Sequence, residues 1–358
     1  MKNASIYSFL FIVLIGCNDK NTATEQSKEP AIQPEVVITA ARETAAVVAE
    51  TDDDAADDPA FWYNFNDPTQ SLIIGTNKKS GLQVYNLNGE LTSSYPVGRV
   101  NNADVRQGVQ DSFDLVGASN RDNLSMDFWL VDKASRNLMY AGEIVTELTD
   151  VYGFCLSIDP TTKTAFAFVN SKTGKIEQWK LSISGDKVTG TLVRTLQLQS
   201  QVEGMVADDE LGKLYVGEEA RGVYRFDLSE TGSDKGTLIA LSDESNPDIK
   251  YDIEGVTIYE TSKTEGYLIA SSQGNNSYAV FERSGKNRYI GSFNIEDGVV
   301  DGVQETDGIH AVSVPLGEAF PKGMFICQDG FNYNNQIKVS QNFKMVSWVL
   351  IAEKLGLE

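Results

Sequence analysis

Short strand patterns that recur at intervals of roughly fifty residues constrain this chain more than any other feature of its sequence. One series ends in polar residues: LIIGTN (72–77), LVGASN (115–120), FAFVNS (166–171), LYVGEE (214–219), LIASSQ (268–273) and FICQDG (325–330). A second, aromatic-rich series follows it after a turn: LQVYNL (82–87), MDFWLV (126–131), KIEQWK (175–180), GVYRFD (222–227) and SYAVFE (277–282). A third precedes the first: DDPAFW (57–62), NADVRQ (102–107), VYGFCL (151–156), VEGMVA (202–207), IEGVTI (253–258) and TDGIHA (306–311). Gly, Asn and Asp punctuate the intervals, and helical periodicity is confined to Phe343–Leu357. Evenly spaced short strands must hide their edges, and radial repetition does so. The pattern predicts an all-β fold, a six-bladed β-propeller of roughly four strands per blade with a short C-terminal helix, spanning residues 37–358.

In a propeller the innermost strand of each blade lines a central channel, so residues in one register form a ring. Taken as the innermost strand, the third series puts Asp58, Asp104, Tyr152, Glu203, Glu254 and Asp307 in register. Five carboxylates and a tyrosine are then expected at one channel mouth. Gathered carboxylates oppose one another's ionisation unless a cation joins them. Calcium suits a flexible all-oxygen cage. At any single position, an acid before Gly equally serves to end a strand or cap a turn. Lys78 and Lys79 follow the first polar-ended strand, Arg121 the second and Lys172 the third. Cations beside an acidic, metal-loaded mouth fit an anionic ligand that bridges both, and phosphate has the right oxygens.

Composition narrows the alternatives. The 358 residues carry 51 Asp and Glu against 30 Lys and Arg, a net charge of −21. Nucleic acid is a poor partner for such a chain. The single histidine, His310, excludes His-rich zinc sites and two-histidine chemistry. At the N-terminus, Lys2 precedes an apolar stretch from Ile6 to Ile15, too short to span a bilayer. Its end, Leu14-Ile15-Gly16-Cys17, resembles a bacterial lipobox. Residues 1–16 are therefore expected to be a signal peptide, Cys17 to carry lipid, and residues 17–36 to form a flexible tether. The expected location is exported and lipid-anchored, on the periplasmic or cell-surface face of a bacterial membrane. Cys155 and Cys327 lie in apolar runs and are expected to be buried free thiols.

Asp54-Ala55-Ala56-Asp57-Asp58-Pro59-Ala60-Phe61-Trp62 and Asn101-Asn102-Ala103-Asp104-Val105-Arg106 resemble the two motifs of the β-propeller phytases, the alkaline calcium-dependent 3-phytases. TNKKSGLQVYNL (76–87), SNR (119–121), VYGF (151–154), EGMVADDELGKLYVGEE (203–219), DIEGVTIY (252–259), YLIASSQGNNSYAVFER (267–283), TDGI (306–309) and QNFKMV (341–346) resemble that family as well. The resemblance runs from about residue 40 to the C-terminus. It implies a six-bladed propeller that hydrolyses phosphomonoesters of myo-inositol hexakisphosphate (phytate). Direct attack by a calcium-bound water would release inorganic phosphate, with substrate bound as its calcium complex.

By matching motif, the resemblance implies calcium ligands at Asp57, Tyr152, Glu203, Glu219, Asp252, Glu254, Gln273, Asp301 and Asp307, of which Asp57, Tyr152, Glu203 and Glu254 form the catalytic set. More tightly held calcium would use Glu43, backbone near Asp58, Pro59 and Ala103, and Asp329 or Asn332. Lys78, Lys79, Arg121 and Lys172 would bind substrate phosphates. Thr173 departs from the family, where an acid often stands beside the lysine. So does Phe61, where a smaller aliphatic residue is usual. A monomer with a neutral-to-alkaline optimum is expected. Two other readings stay open on the residues: a non-catalytic calcium-stabilised propeller that binds an anionic partner, and another calcium-dependent propeller hydrolase.

Overall fold

Six sheets, antiparallel except for one added strand, close into a ring in a computed structural model that describes Met1 and residues 34–358. The proposed leader, the lipidation site Cys17 and most of the tether lie outside the described residues. The innermost strands are Ala56–Trp62, Val100–Arg106, Phe154–Ile158, Val202–Asp208, Ile253–Glu260 and Ile309–Val312, one per blade in chain order. Each packs against the next, and the sixth returns to the first. Innermost strands are buried on both faces, whereas outer strands such as Leu138–Val145 alternate between core and solvent. Apolar side chains fill the wedges between blades. Trp62, Ile74 and Val84 of the first meet Val116 and Trp129 of the second, for example.

The N-terminal segment fastens the ring. Arg42–Glu43 pairs antiparallel with Asn342–Ser347 to supply the outer strand of blade six. Val36–Thr39 runs parallel to Tyr289–Glu296 as a fifth strand of blade five. Part of the expected C-terminal helix is strand instead. Residues 343–347 belong to Asn342–Ser347, which is buried along its whole length, and the helix is Trp348–Leu355. An apolar run buried on both faces carries no period to separate the two. Trp348 stacks on Tyr259, with centroids 3.6 Å apart, and docks the helix on blade five.

The innermost strands also correct the expected register. Blades one, two, four and five each break their first ladder with a bulge, between Ala56 and Pro59, Val100 and Ala103, Val202 and Met205, and Ile253 and Val256. The equivalent residues are therefore Asp57, Asn101, Glu203 and Glu254, with Tyr152 and Asp307 in the remaining blades. Asp58 is one residue past the ring. Asp104 is deeper in the channel, where it accepts from Leu156 N and binds Arg106 at 2.8 Å. The mouth thus carries four carboxylates, an amide and a phenol at this level, not five carboxylates. Bulges were invisible in the strand pattern, and DDP and NNA lack the glycine that marks the other four blades.

That glycine has a packing role. A Cβ on Gly153 would lie 1.9 Å from the carbonyl oxygen of Glu203, and one on Gly204 would lie 2.2 Å from that of Glu254. The residue after the ring position sits against the next blade's backbone, so acid-Gly pairs mark close approach around the channel rather than turns.

Candidate active site

Ring residues rise from the bulges, and the ends of the second strands surround them. Lys78 and Arg121 occupy equivalent positions there, since their amides donate to Ala55 O and Arg99 O. Glu219 and Gln273 share that position through Gln201 O and Asp252 O. Lys172 is one residue beyond it, because the third-blade strand ends at Asn170. The expected common register of the cations therefore holds for Lys78 and Arg121 but not for Lys172.

One carboxylate oxygen each from Glu203, Glu219 and Glu254 lies within 4.8 Å of the others. On one side Asp57 and Asp307 share Lys78, whose Nζ is 3.3 Å from Asp57 Oδ2, 2.9 Å from Asp307 Oδ2 and 2.6 Å from Asp54 Oδ1. Gln273 Nε2 donates to Asp307 Oδ1 at 2.8 Å. On the other side, Asn101 Nδ2 donates to Glu203 Oε1 at 2.6 Å and Arg121 Nη1 donates to Asn101 Oδ1 at 3.3 Å. The Tyr152 ring has Lys172 Nζ 4.3 Å and Arg121 Cζ 5.7 Å from its centroid. Asp252 acts electrostatically on Glu219.

Burial dominates the electrostatics. It drives the Asp57 and Glu254 carboxyls well above the usual range, with Glu203 reinforcing both and Lys78 opposing the effect at Asp57. Burial, with Glu203 and Asp252 behind it, pushes Glu219 up to about 7. Asp307 is pushed up to about 6 by burial, against the pull of Lys78. The Tyr152 phenol is raised by burial and the surrounding carboxylates. Burial depresses the Lys78 ammonium, but Asp57, Asp307 and Asp54 outweigh it and hold the charge.

Asp57 Oδ1, Glu219 Oε1 and Glu254 Oε2 are buried without a hydrogen-bond partner, and Asp57 Oδ2 has only its 3.3 Å ion pair with Lys78. Orphaned buried carboxylate oxygens are costly, and an all-oxygen donor set of this kind fits a hard divalent cation. The site's residues fit the metal that the resemblance implies.

Other sequence candidates lie elsewhere. Asp58, Pro59 and Ala103 line the channel below the ring, where Asp58 Oδ2 accepts from Ala103 N at 3.1 Å. Lys79, next to Lys78, makes a half-exposed ion pair with Asp53 at 3.2 Å. Glu43, Asp301, Asp329 and Asn332 converge on the fully buried Lys344, whose Nζ binds Asp301, Glu43 at 2.5 Å, Asp329 at 3.3 Å and Asn332 Oδ1 at 3.1 Å. Asp301 thus joins this second cluster and not the ring. Cys155 and Cys327 are buried free thiols, and His310, half-buried on the channel wall with its imidazole pushed down to about 4 by desolvation, is neutral. Asn101 and Asp54 escaped the residue-by-residue choice. The asparagine's signal was its place in NNADVR, level with DDP.

Comparison with known proteins decides the family. The family model described as Phytase matches residues 8–358. The chain belongs to the phytase family. This phytase is 43% identical over 332 residues to a 3-phytase of Bacillus subtilis (strain 168), covering 89% of the chain and 85% of that relative. A solved chain of the mitotic checkpoint complex overlays at a TM-score of 0.46 and 13% identity, over 95% of this chain and 89% of that one, too loosely to carry an argument. The phytase is metal-dependent by family, and its clustered acids are where the metal fits.

Proposed function

We propose that this phytase hydrolyses phosphomonoesters of myo-inositol hexakisphosphate with calcium as its metal, releasing inorganic phosphate. Family membership and 43% identity to a 3-phytase support the reaction. The observation that carries the metal assignment is the set of buried carboxylate oxygens that accept no hydrogen bond, Asp57 Oδ1, Glu219 Oε1 and Glu254 Oε2, beside Glu203. Calcium held there would supply an activated water and offset phosphoryl charge. Asn101 fixes one oxygen of Glu203, and Gln273 fixes one of Asp307, so the donors are oriented before substrate arrives. Arg121 and Lys172 supply fixed positive charge for a phosphate next to the one that reacts. Lys78 adds charge on the opposite side.

Phosphate release from phytate, measured with the protein stripped of metal and then given calcium, tests the assignment. Activity is expected only with calcium, and Glu203→Ala and Lys78→Ala are expected to lower it at least tenfold. Full activity in the stripped protein and in both variants would sink it. We also propose export and lipid attachment at Cys17, with the propeller a monomer. Mass spectrometry of the mature N-terminus is expected to show an acylated cysteine, and Cys17→Ser to release the enzyme from membranes. An unmodified N-terminus on a membrane-free enzyme would overturn this.

A further inference from the structure

We propose that the ring of Tyr152, apart from its hydroxyl, is a positioning platform that holds Arg121 and Lys172 together as one phosphate-binding pair. The inference rests on the phytase reading above. Arg121 stands at the end of the second strand of blade two, and Lys172 belongs to the turn after the second strand of blade three. Two cations on neighbouring blades repel one another, and nothing in the register of their strands brings them to one point.

Tyr152 lies between them in sequence and in space. Lys172 Nζ is 4.3 Å and Arg121 Cζ 5.7 Å from its centroid, both within the reach of cation–π attraction. The backbone that carries the ring is itself held. The carbonyl of Tyr152 accepts from Ser119 Oγ at 2.5 Å, and its amide donates to Asn170 O at 2.9 Å, anchoring it to blades two and three. The amide of Lys172 is pinned by Asp150 Oδ1 at 2.7 Å, so the lysine's base is fixed and its tip comes to the ring. The Arg121 guanidinium keeps one donor on Asn101, the amide that also holds Glu203. The platform therefore sets the distance between the cation pair and the carboxylate cluster. On the phytase reading the hydroxyl of the same residue would face the metal, so one side chain would serve both halves of the site.

A double-mutant cycle read by calorimetry, with inositol hexasulfate as a non-hydrolysed probe and calcium saturating, separates these roles. Tyr152→Leu is expected to weaken the probe about 5- to 30-fold, the scale of two cation–π contacts, one to the exposed Lys172 and one to the half-buried Arg121. Tyr152→Phe, which keeps the ring, is expected to recover most of that affinity. In an Arg121→Ala, Lys172→Ala background, Tyr152→Leu is expected to change affinity less than twofold. An equal loss in both backgrounds, or equal losses from Phe and Leu, would overturn the platform. Circular dichroism checks that each variant is folded. Should Tyr152→Leu not fold, Tyr152→Phe with Lys172→Met decides: the inference requires Phe to leave the cost of losing Lys172 unchanged, and a reduced cost overturns it. If the unaltered enzyme bound the probe but the cycle showed no coupling, only this inference would fail. Failure of the unaltered enzyme to release phosphate from phytate would strike the functional reading instead.

Discussion

Asn101 occupies the ring position that five other blades fill with an acid or a phenol, and it is fully buried. It donates to Glu203 and accepts from Arg121, so on the proposed reading it would join the metal half of the site to the phosphate half. Hydrogen bonds to charged groups contribute about 1.5–3 kcal/mol. Asn101→Leu, similar in volume, is therefore expected to lower kcat/KM on phytate roughly 10- to 100-fold, with secondary structure intact by circular dichroism. Asn101→Asp adds a carboxylate beside Glu203 and removes its donor. That variant is expected to need more calcium for half-maximal activity, measured by titration. A variant with unchanged kinetics and calcium demand would show that the amide merely fills space. The sequence showed the acids of this ring and hid its amide, because NNADVR drew attention to Asp104. A one-residue bulge moves every side chain after it, and no residue type announces the bulge.

Lys344 shows the same limit at the level of elements. Its side chain is fully buried and gathers Glu43 from the N-terminal strand, Asp329 from the second strand of blade six and Asp301 from the loop after blade five. The three carboxylates outweigh the burial that would otherwise discharge the ammonium. Glu43 and Lys344 are also paired in the sheet, so the ion pair reinforces the strand that closes the ring. Removing one partner of a buried pair strands the others, at about 3–5 kcal/mol. Lys344→Met is expected to lose that much stability in urea unfolding, far more than Lys79→Met at the half-exposed pair with Asp53. Equal losses in the two variants would refute the role. The blade count and the innermost strands were legible because each repeats a local pattern. The closure was not, since Arg42–Glu43 finds Asn342–Ser347 across nearly the whole chain, and a two-residue strand has no period. The gathering of acids on Lys344 was hidden for the same reason: spacing reports register within a blade, not which loop folds over which.

Over the whole molecule, part of the acidic excess behind the net charge of −21 sits where it is hardest to keep. Glu219 is pushed up to about 7 and Asp307 and Asp329 up to about 6 by burial, each above the usual carboxylate range. A carboxyl that is harder to ionise folded than unfolded binds more protons in the folded state, so stability falls as pH rises. For these groups the benefit is complete below about pH 4 and is lost as pH climbs through 6 to 7. Protein stripped of metal is therefore expected to melt at a higher temperature at pH 5 than at pH 8. Calcium acts in the opposite sense, because it binds the ionised carboxylates and competes with protons for them. The calcium-induced rise in Tm, followed by scanning fluorimetry at both pH values, should be several degrees larger at pH 8. Activity should fall over the same interval as acid displaces the metal. A calcium-induced rise independent of pH would mean that the buried acids hold their charge without metal, and the excess negative charge would then have no role at the mouth. With the predicted dependence, the acidic composition and the anionic substrate cease to conflict: calcium bound there, as proposed, would turn the region that phytate meets electropositive while the outer surface stays acidic.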